Sequence, residues 1–198
     1  MAGNRQPIKG RLIIQVDTQE YLDLVEKTNS ILFWDIESSG GFNADYGSAV
    51  VISGKPFGKK AQSFVVSQVG HDQKIVREFR EYADSFPVWC TYFGKGFDVK
   101  FVNSRLLKWK LPSLPKKLHI DMYFQLAPKL ALSRKSMAHI SSFLKTKHRK
   151  MAVDPDVWAN APFDPASLPI LQQRCEADCV ELEDLYSRTR QLIADIKR

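Results

Sequence analysis

Two carboxylates sit where a strand pattern leaves little room for them. In Ile31–Glu37 (ILFWDIE), side chains alternate across a strand, so Asp35 and Glu37 share a face roughly 7 Å apart. Like charges at that spacing repel by about 2 kcal/mol at an effective dielectric of ~20. The apolar neighbours Phe33, Trp34 and Ile36 add a desolvation cost. A divalent cation is the simplest compensation, because Mg²⁺ takes hard oxygen ligands and is held by carboxylates together with substrate phosphates. The alternative is a strand that ends at the surface, where Ser38-Ser39-Gly40-Gly41 would leave both acids solvated.

A third acid falls in an apolar seam. Near the C-terminus a helical stripe runs Leu171, Cys175, Asp178, Leu182, Leu185, Thr189, Leu192, Ile196. An acid there is costly unless it is paired or metal-bound. A buried salt bridge to Lys or Arg is one alternative; a slight helix rotation that exposes Asp178 is another. Glu176, Glu181, Glu183 and Asp184 fall off the stripe and read as solvated surface. Asp98 stands at a strand-to-helix junction after Gly94 and Gly96. Helix capping is its ordinary role, although Phe101 three residues on provides no capping box.

The elements that must position these acids follow from periodicity and turn signals. Strands are expected at 11–16, 30–37, 47–53, 62–67 and 88–93, with a short one at 119–123. GKPFGKK reads as a hairpin connection. Helices are expected at 18–28 with Asp17 or Thr18 as cap, at 72–86, over FDVKFVNSRLL, near 122–132 and 135–145, and from about 169 to 197. VDPDVWANAPFDPAS reads as a linker. Strands first, with helices interleaved and then dominant, indicate an α/β or α+β sheet covered by helices in one domain over 1–198.

Composition narrows the class. With 198 residues, 44% hydrophobic and 26% charged, the chain is neither disordered nor collagen-like. No apolar run approaches the roughly 20 residues of a membrane span, and no secretory signal stands at the N-terminus. Three scattered Cys form no disulfide framework, which makes a reducing, cytoplasmic setting the expectation. Cys175 and Cys179 read as small core residues rather than zinc ligands. The net charge of +7 is uneven: residues 99–153 carry thirteen Lys and Arg against Asp121 alone, a net +12. That asymmetry suits a polyanion or a solvated surface. Trp109, between Lys108 and Lys110, is the best stacking candidate of the four Trp.

These motifs occur in an order that resembles the DEDD superfamily of 3′-5′ exonucleases, and in particular stand-alone exonucleases related to the proofreading domains of family B DNA polymerases. FWDIES (33–38), TYFGKGFDVKF (91–101) and RCEADCVELEDLY (174–186) are similar to its three exonuclease motifs. HIDMY, SMAHISSFLK and KTKHRKMAVDPDVW add softer similarities. The resemblance implies a ribonuclease H-like α/β fold, a central mixed β-sheet flanked by α-helices. It also implies that Asp35, Glu37, Asp98 and Asp178 are catalytic and hold two Mg²⁺ or Mn²⁺ ions for phosphodiester hydrolysis. Asp121 matches an acid of the following segment and is a secondary candidate. Arg174, Phe97, Lys95 and Lys147 are the substrate-binding candidates. The implied partner is DNA with a single-stranded 3′ end, with RNA as an alternative, and a replication or repair protein is an open question.

Two positions depart from the family pattern. Members carry Tyr or His shortly before the third-motif Asp, whereas this chain has Gln173 and Arg174. An arginine does not deprotonate, so it cannot serve as a general base; it can bind a phosphate or a terminal base. His119, His139 and His148 are the replacement candidates. Phe93 stands where relatives often have Asn. The expectations are therefore a metal-dependent exonuclease without its usual base, a nucleic-acid-binding module that has lost chemistry, or a structure-selective endonuclease.

Overall fold

The computed structural model describes residues 17–148 and 151–193. The candidate strand at 11–16 lies outside them, as do Arg149 and Lys150 of KTKHRK and the last five residues. In chain order the elements are α1 (Thr18–Lys27), β1 (Ile31–Ser38), β2 (Ala49–Pro56), β3 (Gln62–Val65), α2 (Gln73–Asp84), β4 (Val88–Thr91), α3 (Asp98–Lys108), β5 (Leu118–Asp121), α4 (Met122–Leu126), α5 (Met137–Leu144), α6 (Pro155–Asn160) and α7 (Ser167–Thr189), followed by a 3₁₀ turn at Arg190–Leu192. The sheet order is β3-β2-β1-β4-β5. The β1–β2 and β2–β3 pairs are antiparallel; β1–β4 and β4–β5 are parallel. This mixed sheet with helices on both faces is the α/β arrangement expected from the sequence.

β1 lies at the centre because it can be buried on both faces. Leu32, Trp34 and Ile36 pack with Ile75, Val76 and Phe79 of α2 and with Val102 and Leu106 of α3. Ile31 and Phe33 pack on the other face with Leu182, Leu185 and Tyr186 of α7. Strand alternation then puts Asp35 and Glu37 on the face of Phe33, toward α7. The β1–β2 ladder slips between Glu37 and Ser38. Two thiols let α7 lie close to the sheet: Cys175 Sγ is 3.3 Å from the Asp35 carbonyl and Cys179 Sγ 3.4 Å from that of Ser53. Both cysteines are buried, with thiol pKa values pushed well up by desolvation, as inert core residues require.

Several boundaries differ from the sequence reading. β2 continues through Pro56, so the hairpin turn is shorter than GKPFGKK. The helix expected near 122–132 stops at Leu126, two residues before Pro128, which has no backbone N–H to donate to the helix. The supposed linker contains α6, started by Asp154, whose side chain accepts from the Asp156 N–H, with Pro155 at the first turn. α7 ends at Thr189 rather than 197.

The acids flanking the α7 stripe are buried or half-buried and held by partners rather than open surface. Glu181 is fully buried. Glu176 accepts from Ser63 Oγ at 2.6 Å, Glu183 pairs with Lys55 and takes the Gly58 N–H at 2.6 Å, and Asp184 takes the His148 N–H at 2.8 Å. The edge of the sheet and the neighbouring loops wrap around α7, and helical periodicity alone does not reveal that.

Below the loop between β1 and β2 lies a buried ion pair. Arg105 of α3 meets Asp72 through Nε at 2.7 Å and Nη2 at 2.9 Å, and its Nη1 donates to the carbonyls of Ala44 and Gly47. Asp72 also accepts from Trp109 Nε1 at 2.7 Å and the Ala49 N–H at 2.9 Å. One cation of the basic segment is thus a structural strut. Trp109, the stacking candidate, is half-buried and tied down by its indole N–H. Breaking a buried pair strands the partner charge. Arg105→Ala is therefore expected to cost about 3–5 kcal/mol, read as a lowered urea midpoint, with the 39–47 loop gaining proteolytic sensitivity.

Candidate active site

Among the described residues, β1 and α7 together bring three carboxylates to one point. One oxygen each from Asp35, Glu37 and Asp178 lies within 4.8 Å of the others. Glu37 and Asp178 are buried and Asp35 is half-buried. They open into a cleft of about 430 Å³ that Phe42, Phe97, Trp158 and Arg174 also line. All-oxygen donors of this kind suit Mg²⁺ or Mn²⁺ rather than a soft metal.

Asp98 stands outside that triad, at the start of α3. The residue before it, Phe97, takes the cap position and makes no side-chain capping bond. The capping role open from sequence is therefore not the one adopted. The Asp98 side chain is buried, and among the described residues its Oδ1 has no hydrogen-bond partner. Burial pushes its pKa up to about 7, reinforced by the charges of Asp121 and Glu37 and partly offset by its own N–H and that of Ile36. Ile36 lies between Asp35 and Glu37 on β1, so Asp98 comes up against the same strand segment. A buried carboxylate oxygen without a donor, beside three clustered acids, fits a site built for cations.

This arrangement has a pH signature. The folded pKa of Asp98 exceeds its ordinary value of 3.8, so the metal-free folded state holds the proton more tightly than the unfolded chain. Its contribution to stability is full below about pH 3.8 and is lost as pH rises toward about 7. Metal-free protein should therefore lose stability relative to Asp98→Asn across that window, with a constant difference above it. Paired thermal melts from pH 4 to 8 measure this; parallel curves would contradict it. Comparison with the variant removes the opposing slope of His119, whose pKa burial lowers to about 3.

Asp121 organises the approach to α3. Its carboxylate takes the N–H groups of Phe93 and Lys95 at 2.9 Å each and that of Tyr123 at 3.2 Å. Desolvation raises its pKa and these N–H groups oppose the rise. Phe93 adopts a positive φ of 64°, and its ring covers Gly96 so closely that a Cβ there would come within 2.4 Å. Gly96 thus serves the turn that presents Phe97.

Arg174 occupies the heart of the site. Its Nε is 2.7 Å from Glu37 and its Nη2 3.5 Å from Asp178. Its Nη1 donates to the Met151 carbonyl at 2.6 Å, and the guanidinium stacks over Trp158 at 5.0 Å. The salt bridge considered for Asp178 from sequence is thus present, from the residue one turn earlier. Of the remaining substrate-binding candidates, Phe97 lines the cleft and Lys95 and Lys147 do not. Lys95 stands over a separate hollow with His119 and Lys117, and Lys147 beside Asp184 and Arg188. None of the candidate histidines lines the cleft either. His119 is buried on Thr91 Oγ1 at 2.8 Å, and His148 pairs with Asp184 through Nδ1 at 2.5 Å.

Sequence reasoning missed two contributors. Trp158 donates its indole N–H to Glu37 at 2.9 Å; Asp154-Pro155, a helix-start signal inside the apparent linker, pointed to the helix that carries it. Phe42 is 79% exposed and packs edge-on against Phe97 at 4.9 Å between centroids. An aromatic in a Ser-Gly-rich loop was its only sequence signal.

The RNase H superfamily model matches residues 32–190. No curated protein matches the chain in sequence. Among solved structures, the family B DNA polymerase from the hyperthermophilic archaeon Pyrobaculum calidifontis superposes with a TM-score of 0.67 at 17% identity, over 81% of this chain and 24% of that one. The chain therefore spans about a quarter of the length of that polymerase.

Proposed function

Because the chain belongs to the RNase H superfamily, we propose that it is a divalent-metal-dependent 3′-5′ exonuclease acting on DNA with a single-stranded 3′ end. The observation that carries this reading is the convergence of Asp35, Glu37 and Asp178 in a cleft. The orphaned carboxylate oxygen of Asp98 completes a four-acid set. These four side chains would hold two ions, which when bound supply the Lewis acidity for water activation and for charge developing on the phosphate and leaving 3′-oxygen. Phe97 and Phe42 would flank the terminal base. Arg174 supplies no base; it neutralises Glu37 and Asp178 until cations arrive.

The test uses a single strand labelled at its 5′ end, with Mn²⁺ or Mg²⁺ added to purified protein. Stepwise shortening from the 3′ end is expected. Cleavage of circular single strands would replace the exonuclease by an endonuclease.

The Arg174 ion pairs favour a second reading, a binding module whose acids are satisfied without metal. Calorimetry separates the two, because such a module takes up no Mn²⁺ dependent on Asp178.

A further inference from the structure

Beyond the wall formed by Phe42 and Phe97, a second hollow of about 560 Å³ runs along α3. It shares those two aromatic residues with the acidic cleft, so the two hollows adjoin across them. Its floor is the outer face of α3. Lys100, Ser104 and Lys108 recur every four residues, all exposed and all lining the hollow. Phe101, buried beside this row, also lines the hollow, and Val102 and Leu106 on the opposite face are buried in the core. At 1.5 Å per residue the two lysines stand about 12 Å apart along the helix axis. The far side of the hollow is the 39–47 loop, held from below by Arg105. The acid of that loop lining the hollow is Asp45.

We propose that this groove binds the sugar-phosphate backbone of a nucleic acid single strand, on the 5′ side of the nucleotide in the acidic cleft. The 5′ direction rests on the exonuclease reading above; the binding does not. Three features support a polyanion as occupant. The groove adjoins the cleft at an aromatic pair, the kind of surface on which bases stack regardless of sequence. Two lysines on one rigid helix supply regularly spaced positive charge. The segment that contains them carries a net +12, so the approach is attractive over a longer range.

Binding is measured in metal-free buffer with chelator, so that no cleavage occurs, using a fluorescent oligothymidine trimer and decamer. The trimer is expected to end at the mouth of the groove and the decamer to run along it. Lys100→Glu with Lys108→Glu is expected to weaken the decamer about tenfold or more at low salt and leave the trimer unchanged. Lys100→Gln with Lys108→Gln should flatten the decamer's log–log salt dependence by about 1.4, the value for two single-strand phosphate contacts. Asp45→Asn, which removes a repulsive charge, should strengthen it. Circular dichroism confirms that each variant is folded, since all three positions lie outside the core.

Equal loss for trimer and decamer, or no loss for either, overturns the groove, as does failure of the native protein to bind the decamer. The two readings fail separately. Native protein that binds the decamer through these lysines but cleaves nothing with Mn²⁺ leaves the groove standing and removes the exonuclease. Cleavage with decamer binding indifferent to the lysines does the reverse.

Discussion

Asp178→Asn is expected to reduce nuclease turnover by about 10³-fold or more and to abolish tight Mn²⁺ binding, while the protein stays folded. The magnitude follows from what a bound ion contributes. Lewis-acid stabilisation of the transition state is worth several kcal/mol, and each 1.36 kcal/mol is a factor of ten. Asp178 is one of three acids whose oxygens lie within 4.8 Å of each other and the only one of them on α7. Asparagine keeps the shape and removes the charge, so Cys175, Cys179, Leu182 and Leu185 keep their packing against the sheet. Single-turnover cleavage and calorimetry with Mn²⁺ read the two effects. Turnover within tenfold of native would show that this acid holds no catalytic ion. Asp35→Asn serves as a parallel from the opposite element.

Arg174→Tyr is expected to raise turnover and to tighten Mn²⁺ binding. The guanidinium lies 2.7 Å from Glu37 and 3.5 Å from Asp178, so it competes with a cation for the same charge. At an effective dielectric of ~20, unit charges 4 Å apart interact by about 4 kcal/mol. Even heavily screened, removal of the cation should tighten Mn²⁺ by about tenfold, and Arg174→Ala should show this gain alone. Tyr also restores at this position the residue type that the resemblance assigns to the base. General-base assistance is typically worth about 10²–10⁴-fold, so its turnover should exceed that of the Ala variant. If Ala and Tyr weaken Mn²⁺ together, Arg174 is a required support for Glu37 and Asp178 rather than a competitor. The Trp158 stacking and the Met151 contact are the interactions that would then account for it.

The path from sequence to site was short where local physics is strong. Strand alternation placed Asp35 and Glu37 on one face, and the helical stripe placed Asp178 inward; both placements hold in the fold. The same rules misjudged Glu176, Glu181, Glu183 and Asp184, because periodicity describes one face of α7 and the helix is covered on several. Ser63 from β3, Lys55 from β2 and His148 from a later loop approach it there. Arg105 was counted among the surface cations, yet it is almost fully buried on Asp72. A charge-pair strut across 33 residues leaves no local trace. The short helix carrying Trp158 was hidden because a Pro-rich stretch scores as a linker until its cap is noticed.

Residue identity and spacing alone carried four acids in three motif-like segments, an arginine one turn before the last of them, and a basic segment between Asp98 and Asp178. Those depend on residue identity and on periods of two and 3.6, which a chain carries with it wherever it folds. The tertiary structure alone decided which groups share a volume. It set Arg174 between Glu37 and Asp178, left an Asp98 oxygen without a donor, and paired Phe42 with Phe97 at the junction of two hollows. Such contacts join residues far apart in the chain, and their geometry comes from sheet order, the β1–β2 slip and the seating of α7, none of which any local stretch of sequence encodes.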